Sequence, residues 1–351
     1  SQRPVRGAAV GVVRKGTPDT VLATTSTDDV GHYALSFADG GTGQLAIRVL
    51  AHGATPDILV KDNTDGAIWG MGADLGTTTT ALDLRATHGW TGSTYDPAKR
   101  TAGPFAILDS MTTAARAFLA VRPVAFPPLA VNWSPENVPQ AGDKALGQIG
   151  TSHFSPADGQ IYVLGKVGVD TDEYDSHVIV HEWGHYFEAN LSRTDSPGGP
   201  HGPGDVLDPR LAFGEGYGNA IAAMVLPETM YVDTNWSGPG GTLTAFGFDA
   251  ETPPVPTDDP NPSAFSEATI LRLLYDIYDA GSNEAFDRVA VGLGVVYDVL
   301  VGPERTTSAL TTIGSFVAGL KAQAGVNAAD VDVLLAHYAI GPLTTEWGDG
   351  D

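Results

Sequence analysis

Residues 178–187 read Val-Ile-Val-His-Glu-Trp-Gly-His-Tyr-Phe and place His181, Glu182 and His185 in a His-Glu-x-x-His pattern. Two histidines four residues apart project from the same face of a helix, so both imidazoles can reach one metal ion. Glu182 then lies beside that ion, where its carboxylate can take the proton of a metal-bound water. The pattern predicts a zinc-binding helix that carries its own general base.

The surroundings of this pattern favour a buried helix. Glu182 is the only acidic or basic residue between Val178 and Phe187, whereas acidic residues precede the segment at positions 172, 173 and 175. Acidic side chains stabilise a helix N-terminus, and an exposed helix would carry scattered lysines and glutamates. An amphipathic helix with incidental histidines is the competing interpretation.

A catalytic zinc site needs a third protein ligand from elsewhere in the chain. The metzincin pattern would place a histidine at position 191, which is Leu191, so that pattern is excluded. The downstream candidates are His201, Asp205, Asp208 and Glu215.

Glu215 has the strongest helical context of the four candidates, because it lies in the small and apolar segment 211–225. A carboxylate buried in such a helix is costly unless it is paired or metal-bound. Glycines at positions 214, 216 and 218 predict close packing against another helix, at Gly184. Asn219, one turn after Glu215, can orient a ligating imidazole through its amide oxygen.

Both segments together resemble the gluzincins, the thermolysin-like zinc metallopeptidases, and among them the fungalysins. The likeness lies in His-Glu-aromatic-Gly-His at 181–185 and Gly-Glu-Gly-aromatic at 214–217. It implies zinc bound by His181, His185 and Glu215, with Glu182 as the base. This chain departs from the family in the long step between the motifs and in Asn219, where fungalysins have aspartate.

An oxyanion formed during hydrolysis needs a hydrogen-bond donor. Thermolysin-like enzymes use a downstream histidine, but this chain has no histidine between His201 and His337. Tyr217, Tyr231 and His201 are the candidate donors, and an ordinary packing role competes for each. Glu267 and Arg272 are expected to be structural.

The resemblance also predicts how a protein or peptide substrate is held, as a strand added to a sheet edge. Residues 150–155 and 160–164 are predicted to form two strands joined by a Pro-Ala-Asp-Gly turn. The first of them is the candidate edge strand, and a purely structural hairpin is the alternative. The Gly/Pro-rich loop at 192–208 is either a lid or a surface insertion.

The N-terminal residues 1–86 have a different pattern. Strand-like alternation occurs at 8–14, 21–25, 32–37, 44–50 and 81–85, and predicts a small antiparallel β-sandwich. The Thr-Asp-x-x-Gly-x-Tyr pattern at 27–33 resembles carboxypeptidase-regulatory-like, transthyretin-like modules. Such a module would space or adhere rather than catalyse.

The predicted fold class is therefore multidomain, with an all-β sandwich followed by an α+β zincin domain at 87–351. Residues 87–197 would form the sheet-bearing half with the zinc helix, and residues 198–351 a mostly helical half. Helices are predicted at 103–119, 266–280, 284–300, 306–323 and 328–339, and a strand at 129–133.

The amino-acid composition argues against some classes of binding partner. The chain has 42 acidic and 19 basic residues, a formal net charge of −23, which argues against nucleic acid and anionic membranes as partners. No apolar run approaches the ~20 residues that span a bilayer. The sequence does not predict an oligomeric state. Cysteine is absent, which is compatible with either redox compartment, and a secreted location follows only from the protease resemblance.

Two clusters of acidic residues, at positions 170–175 and 258–259, are candidate calcium sites, with a solvated acidic face as the alternative. Two other functions also stay open for the whole chain. One is a catalytically inactive zinc-binding or adhesion module, and the other is a zinc hydrolase of a non-peptide substrate.

Overall fold

The computed structural model describes residues 3–38, 40–76, 81–237, 241–252, 259–280 and 286–348. The chain forms two compact units. The first unit contains residues 1–113, 126–179 and 234–245, and the second contains residues 114–125, 180–233 and 246–351. The architecture is α+β, with a mixed sheet in the first unit and most helices in the second.

The first unit is built on one mixed sheet with the strand order β2-β1-β3-β4-β6-β8-β7, and β5 pairs with β3. Pairing is antiparallel from β2 to β4, whereas β4–β6 and β6–β8 are parallel. The strands are β1 (Ala8–Arg14), β2 (Thr20–Ser26), β3 (Leu45–Ala54), β4 (Asp57–Lys61), β5 (Gly70–Asp74), β6 (Leu129–Trp133), β7 (His153–Ser155) and β8 (Gln160–Val163).

Three of the five predicted N-terminal strands are present, as β1, β2 and β3. The predicted strands at 32–37 and 81–85 are wrong, since neither segment is a strand. The Tyr33 hydroxyl donates a hydrogen bond to the Leu82 carbonyl at 2.8 Å, so a side chain joins these two segments. Strands β4 and β5 had not been predicted.

The described N-terminal strands do not form the predicted two-sheet sandwich, because β1 to β5 belong to the same sheet as β6, β7 and β8. Parallel pairing of Ile58 with Leu129 joins the two parts of the chain. The division into domains at 1–86 and 87–351 stays a prediction. The two compact units have other bounds.

The hairpin predicted at 150–164 is confirmed, and β7 lies at the end of the sheet order as an edge strand. A second sheet has the order β12-β11-β10-β9. Its strands are β9 (Gly165–Lys166), β10 (Asp170–Thr171), β11 (Met230–Trp236) and β12 (Leu243–Asp249).

The helices are α1 (Ala102–Val121), α2 (Ser176–Leu191), α3 (Pro209–Val225), α4 (Glu267–Tyr278), α5 (Gly292–Val299), α6 (Ile313–Lys321) and α7 (Ala328–His337). The predicted helices at 284–300 and 306–323 were too long at their N-terminal ends. Thr312 explains the late start of α6, because its side chain accepts a hydrogen bond from the Gly314 amide and caps the helix. Among the described residues, no helix is both long and apolar enough to cross a membrane.

Glycines allow α2, α3 and α4 to approach closely, as predicted for α2 and α3. A Cβ atom added at Gly184 of α2 would lie 3.2 Å from the Gly218 Cα of α3. On another side of α3, a Cβ atom at Gly216 would lie 2.6 Å from the Ile270 Cβ of α4. Real Cβ atoms do not come so close, so the α3–α4 spacing requires glycine at position 216.

The interior of the second unit also contains a carboxyl group that forms no salt bridge with the described residues. Glu304 is fully buried, and its Oε1 accepts a hydrogen bond from the Ser315 hydroxyl at 2.8 Å. Its Oε2 has no hydrogen-bond partner among the described residues. Burial raises the pKa of Glu304 to about 8, more than the Ser315 hydroxyl lowers it.

We expect Gly216→Ala to destabilise the protein, although alanine favours helix. The added methyl group must push α3 away from Ile270, and such overpacking costs about 1–3 kcal/mol. Gly302→Ala is the matched control, because a Cβ atom there meets nothing within 4 Å. Urea unfolding would measure both variants, and equal stabilities would contradict the close α3–α4 packing.

We expect Glu304→Gln to remove a pH dependence of stability. The folded chain holds a proton on Glu304 up to about pH 8, whereas a free carboxyl loses it near pH 4.5. The free energy of unfolding therefore falls as the pH rises between these values. At pH 9 the glutamine variant should be more stable by a few kcal/mol, on the order of 3–5.

Chemical denaturation of the wild type and Glu304→Gln at pH 4, 6, 8 and 9 measures this difference. The stabilities should agree at pH 4, where both side chains are neutral, and diverge with rising pH. A constant difference across the series would show that the Glu304 pKa is not raised.

Candidate metal centre

Helix α2 has two faces with different chemistry. His181 and His185 lie on one face, whereas Trp183 and Phe187 on the other are fully buried. The Phe118 ring stacks on Phe187 at a centroid distance of 4.7 Å and contacts Trp183 at 5.5 Å. This aromatic packing fixes the rotation of α2 and thereby aims both imidazoles in one direction.

Three ligand atoms converge in front of α2. The Nε2 atoms of His181 and His185 are 3.0 Å apart. Glu215, from α3, places its Oε2 at 3.1 Å from the His181 Nε2 and at 3.3 Å from the His185 Nε2. The structure thus brings together three residues that are separated by up to 34 positions in the chain.

The hydrogen bond of the His181 Nδ1 determines which nitrogen of the neutral ring faces Glu215. The His181 Nδ1 lies 2.8 Å from the Asn219 Oδ1, an oxygen that can only accept, so Nδ1 carries a proton. In the neutral imidazole, Nε2 then has a lone pair, and this lone pair is aimed at the Glu215 carboxylate. Two acceptors at that distance repel each other unless a proton or a metal cation lies between them.

The acid–base properties of the cluster point to the same need for positive charge. Burial lowers the pKa of His181 and His185, but the Glu215 carboxylate raises both, and the net shift is upward, strongly so for His185. Burial raises the pKa of Glu215, but His185 and His181 together move it well below its usual range. A cluster that attracts protons in this way also attracts a metal cation.

The donor set fits zinc. Ligand atoms 2.0–2.1 Å from a tetrahedral ion are about 3.3–3.4 Å apart, close to the 3.0–3.3 Å separations of His181, His185 and Glu215. Two imidazoles and one carboxylate are also a known catalytic zinc set. Asn219 completes the arrangement by holding the His181 tautomer.

Glu182 lies beside this cluster, as predicted. It is 7% exposed, and its carboxylate offers an oxygen within 4.8 Å of a ring nitrogen of both His181 and His185. Because Glu182 is the neighbour of His181 on α2, its carboxylate flanks the three ligand atoms. That position suits a base that acts next to the metal.

The three candidate oxyanion donors have different surroundings. Tyr217 is 1% exposed and stacks on Phe213, so its ring belongs to the core. Tyr231 is half-buried on β11 and stacks on Phe248 at 4.7 Å. His201 places its Nε2 at 3.3 Å from the Glu215 Oε2, inside the cluster.

Asp208, an alternative third ligand, has a different role in the structure. It caps α3 by accepting the Arg210 amide, and the Arg210 guanidinium lowers its pKa to about 2. Asp205 is exposed on the loop before this cap. Among the four candidates, Glu215 and His201 therefore lie at the cluster.

Glu267 is a residue whose place near the site had not been predicted. Its Oε2 lies 3.9 Å from the His201 Nε2 and has no hydrogen-bond partner among the described residues. Burial raises the pKa of Glu267. The available signal was a carboxylate at the start of α4, directly after the capping residue Ser266, and we had expected Glu267 to be structural.

Glu267 also lines a narrow pocket of about 20 Å³, which suffices for about one water molecule. Asn219 and the aromatic rings of Phe246 and Phe248 form other parts of the wall. The pocket therefore reaches the residue that orients His181.

The acidic residues at 172–175 have protein partners. Asp172 accepts a hydrogen bond from the Ser152 hydroxyl, Glu173 pairs with Arg100, and Asp175 accepts the Thr234 amide and hydroxyl. Each of the three carboxylates thus has at least one protein partner, although the Asp172 Oδ1 and the Glu173 Oε2 have no hydrogen-bond partner among the described residues. Calcium binding stays a prediction.

No protein-family model, no curated protein and no solved structure matches the chain in sequence or fold comparisons. The likeness to gluzincins therefore rests on the two short motifs and on the geometry described above.

We expect Asn219→Ala to weaken zinc binding by about 10–100-fold, because the His181 imidazole loses the partner that fixes its tautomer. Competition with a chromophoric chelator would measure the dissociation constant. Asn190→Ala is the control, since Asn190 is exposed at the end of α2 and bonds only the Tyr186 carbonyl in its own helix. Equal affinities of the two variants would contradict the role of Asn219.

Proposed function

We propose that this chain is a zinc-dependent endopeptidase in which His181, His185 and Glu215 hold the metal and Glu182 is the general base. The observation that carries the proposal is the convergence of two imidazole nitrogens on one buried carboxylate oxygen, beside a second carboxylate. A structural zinc site has no need for the second carboxylate. A hydrolytic site does need it.

Zinc bound there would supply Lewis acidity, which polarises the scissile carbonyl and makes a neighbouring water more acidic. His181 and His185 contribute neutral nitrogen donors, and Glu215 contributes one negative charge. The resulting net charge of the cluster is positive, which favours the negative charge that develops on the carbonyl oxygen.

Glu182 moves the proton in the proposed reaction. One carboxylate oxygen takes a proton from the attacking water as the new carbon–oxygen bond forms. The same carboxyl group then donates this proton to the amide nitrogen as the carbon–nitrogen bond breaks. Its 7% exposure keeps bulk water away from this transfer.

A hydrogen-bond donor for the developing oxyanion is still required. Tyr231 is the best of the three candidates, because it is half-buried and stacks on Phe248, a wall residue of the pocket that contains Asn219. Tyr217 would have to leave the core, and the neutral His201 ring uses its donor elsewhere.

Two alternatives use the same ligands. A zinc hydrolase of a non-peptide carbonyl compound would also need Glu182, so only a substrate assay separates it from a peptidase. An inactive zinc-binding module would need the ligands but not Glu182. The buried Glu182 beside the cluster favours an active enzyme over that module.

We expect Glu182→Gln to keep zinc and to lose about 10²–10⁴-fold in peptide hydrolysis, because an amide cannot accept the proton of water. Zinc content and cleavage of a quenched fluorescent peptide would be measured on the same preparation. Glu136→Gln is the matched control, since its side chain is 62% exposed. Retained hydrolysis in Glu182→Gln would overturn the proposed mechanism.

Glu215→Ala tests the assignment of the zinc ligands separately from the proposed role of Glu182. We expect one zinc per wild-type chain, chelator-sensitive hydrolysis, and loss of both in the variant. Zinc retained without Glu215 would exclude it as an essential ligand. Zinc without hydrolysis in the wild type would favour the inactive module or a non-peptide hydrolase.

A further inference from the structure

We propose that His201 is a fourth protein ligand, so that the 192–208 loop holds zinc in a closed site with three histidines and one glutamate. The loop tip must then move away from the zinc before a substrate can bind. The inference rests on the proposed zinc site, and it assigns to His201 a different role from the predicted oxyanion donor.

The first support is position. The His201 Nε2 is 3.3 Å from the Glu215 Oε2, the same separation as between the His185 Nε2 and that oxygen. Three imidazole nitrogens thus lie 3.1–3.3 Å from one carboxylate oxygen, close to the separation between two ligands of one tetrahedral zinc ion. His201 reaches this place from a loop, whereas the other three residues lie on helices.

The second support is the orientation of the ring. The His201 Nδ1 is 3.2 Å from the Gly199 carbonyl oxygen, which can only accept, so Nδ1 is the donor. In the neutral ring the lone pair is then on Nε2, the atom that lies 3.3 Å from the Glu215 Oε2. His181 shows the same arrangement, with Asn219 in the place of Gly199. A metal ion is what both lone pairs and the carboxylate can share.

This orientation also bears on the oxyanion donor. The only N–H group of the neutral His201 ring is used by the Gly199 carbonyl. The ring therefore has no proton at Nε2 to offer to an oxyanion at the cluster, although it has a lone pair to offer to a metal.

The third support is how the loop is held. At its start, the Ser192 hydroxyl donates to the Leu300 carbonyl at 2.7 Å, and the Asp195 amide donates to the Thr311 hydroxyl at 2.8 Å. At its end, the Leu207 amide donates to the Phe265 carbonyl at 2.9 Å. The loop is thus fixed to the second unit at both ends.

The loop tip between these anchors is solvent-exposed. Residues 197–201 are all exposed, and the His201 side chain is 32% exposed even though its Nε2 is inside the cluster. Gly198 and Gly199 have positive φ angles of 62° and 133°. Such a tip can lift without unfolding α2 or α3.

The functional consequence follows from the coordination number. Four protein ligands complete a tetrahedral zinc shell and leave no position for water or a substrate carbonyl. The closed form would therefore bind zinc tightly without hydrolysing peptides. Lifting the His201 tip restores a three-ligand site next to Glu182.

Zinc K-edge X-ray absorption on the full chain tests this inference directly. We expect three imidazoles in the zinc shell of the wild type and two in His201→Ala. The control His32→Ala should keep three, because the His32 side chain is 83% exposed in the first unit. Zinc affinity should fall in His201→Ala by more than the about 10–100-fold effect of losing an outer partner.

Hydrolysis at saturating zinc is the second readout. We expect His201→Ala to cleave peptide faster, about two-fold if half of the wild-type molecules are closed. An oxyanion donor, by contrast, would give slower cleavage and an unchanged imidazole count. That result would overturn the inference.

Different experimental results would reject the inference and the proposed function. Two imidazoles in the wild-type shell, with zinc-dependent cleavage intact, would reject His201 as a ligand and keep the peptidase. A three-imidazole shell that loses one imidazole in His201→Ala would support the ligand even if neither protein cleaves peptide. In that case only the peptidase is rejected.

Discussion

The interaction on which the site depends is the burial of the Glu215 carboxylate against imidazole nitrogens. Its Oε2 lies within 3.3 Å of ring nitrogens from His181, His185 and His201. The Asn219 and Gly199 oxygens accept from the Nδ1 atoms of His181 and His201, so Nε2 is the unprotonated nitrogen when these rings are neutral. Folding therefore buries a carboxylate that needs a proton or a metal ion beside it. Zinc bound there, as we propose, would couple metal binding to folding of the second unit.

The helices that present these side chains must pack closely. Gly184 and Gly218 let α2 and α3 approach closely, and Gly216 does the same for α3 and α4. The aromatic face of α2 packs on Phe118, which leaves its histidine face directed at Glu215. The site is thus the meeting point of two helix contacts that permit little change in side-chain size.

The local parts of this arrangement could be predicted from the sequence. The histidine pair, Glu182 and Asn219 follow from helical spacing, and Glu215 follows from a carboxylate in an apolar segment. Strands β1 and β6 were predicted with their observed limits because short-range alternation specifies them. Each of these features depends on residues within a few turns of the chain.

The missed features depend on distant contacts. The parallel pairing of β4 with β6 brings together segments about 70 residues apart, and no local pattern reports it. The place of His201 depends on the hydrogen bonds of Ser192 with Leu300 and of Asp195 with Thr311, which join residues 108 and 116 positions apart. Glu267 was expected to be structural, and only the packing of α4 on α3 brings it to His201.

The glycines at the helix contacts have a further meaning for how such chains diverge. Gly216 and Gly218 leave no room for a Cβ atom, against Ile270 and the His181 ring respectively, and Gly184 leaves little. A related chain that kept these helix contacts would be constrained to keep the small residues whether or not it bound a metal. Glycines at these positions therefore report a shared helix framework, and they say nothing about the chemistry of the site.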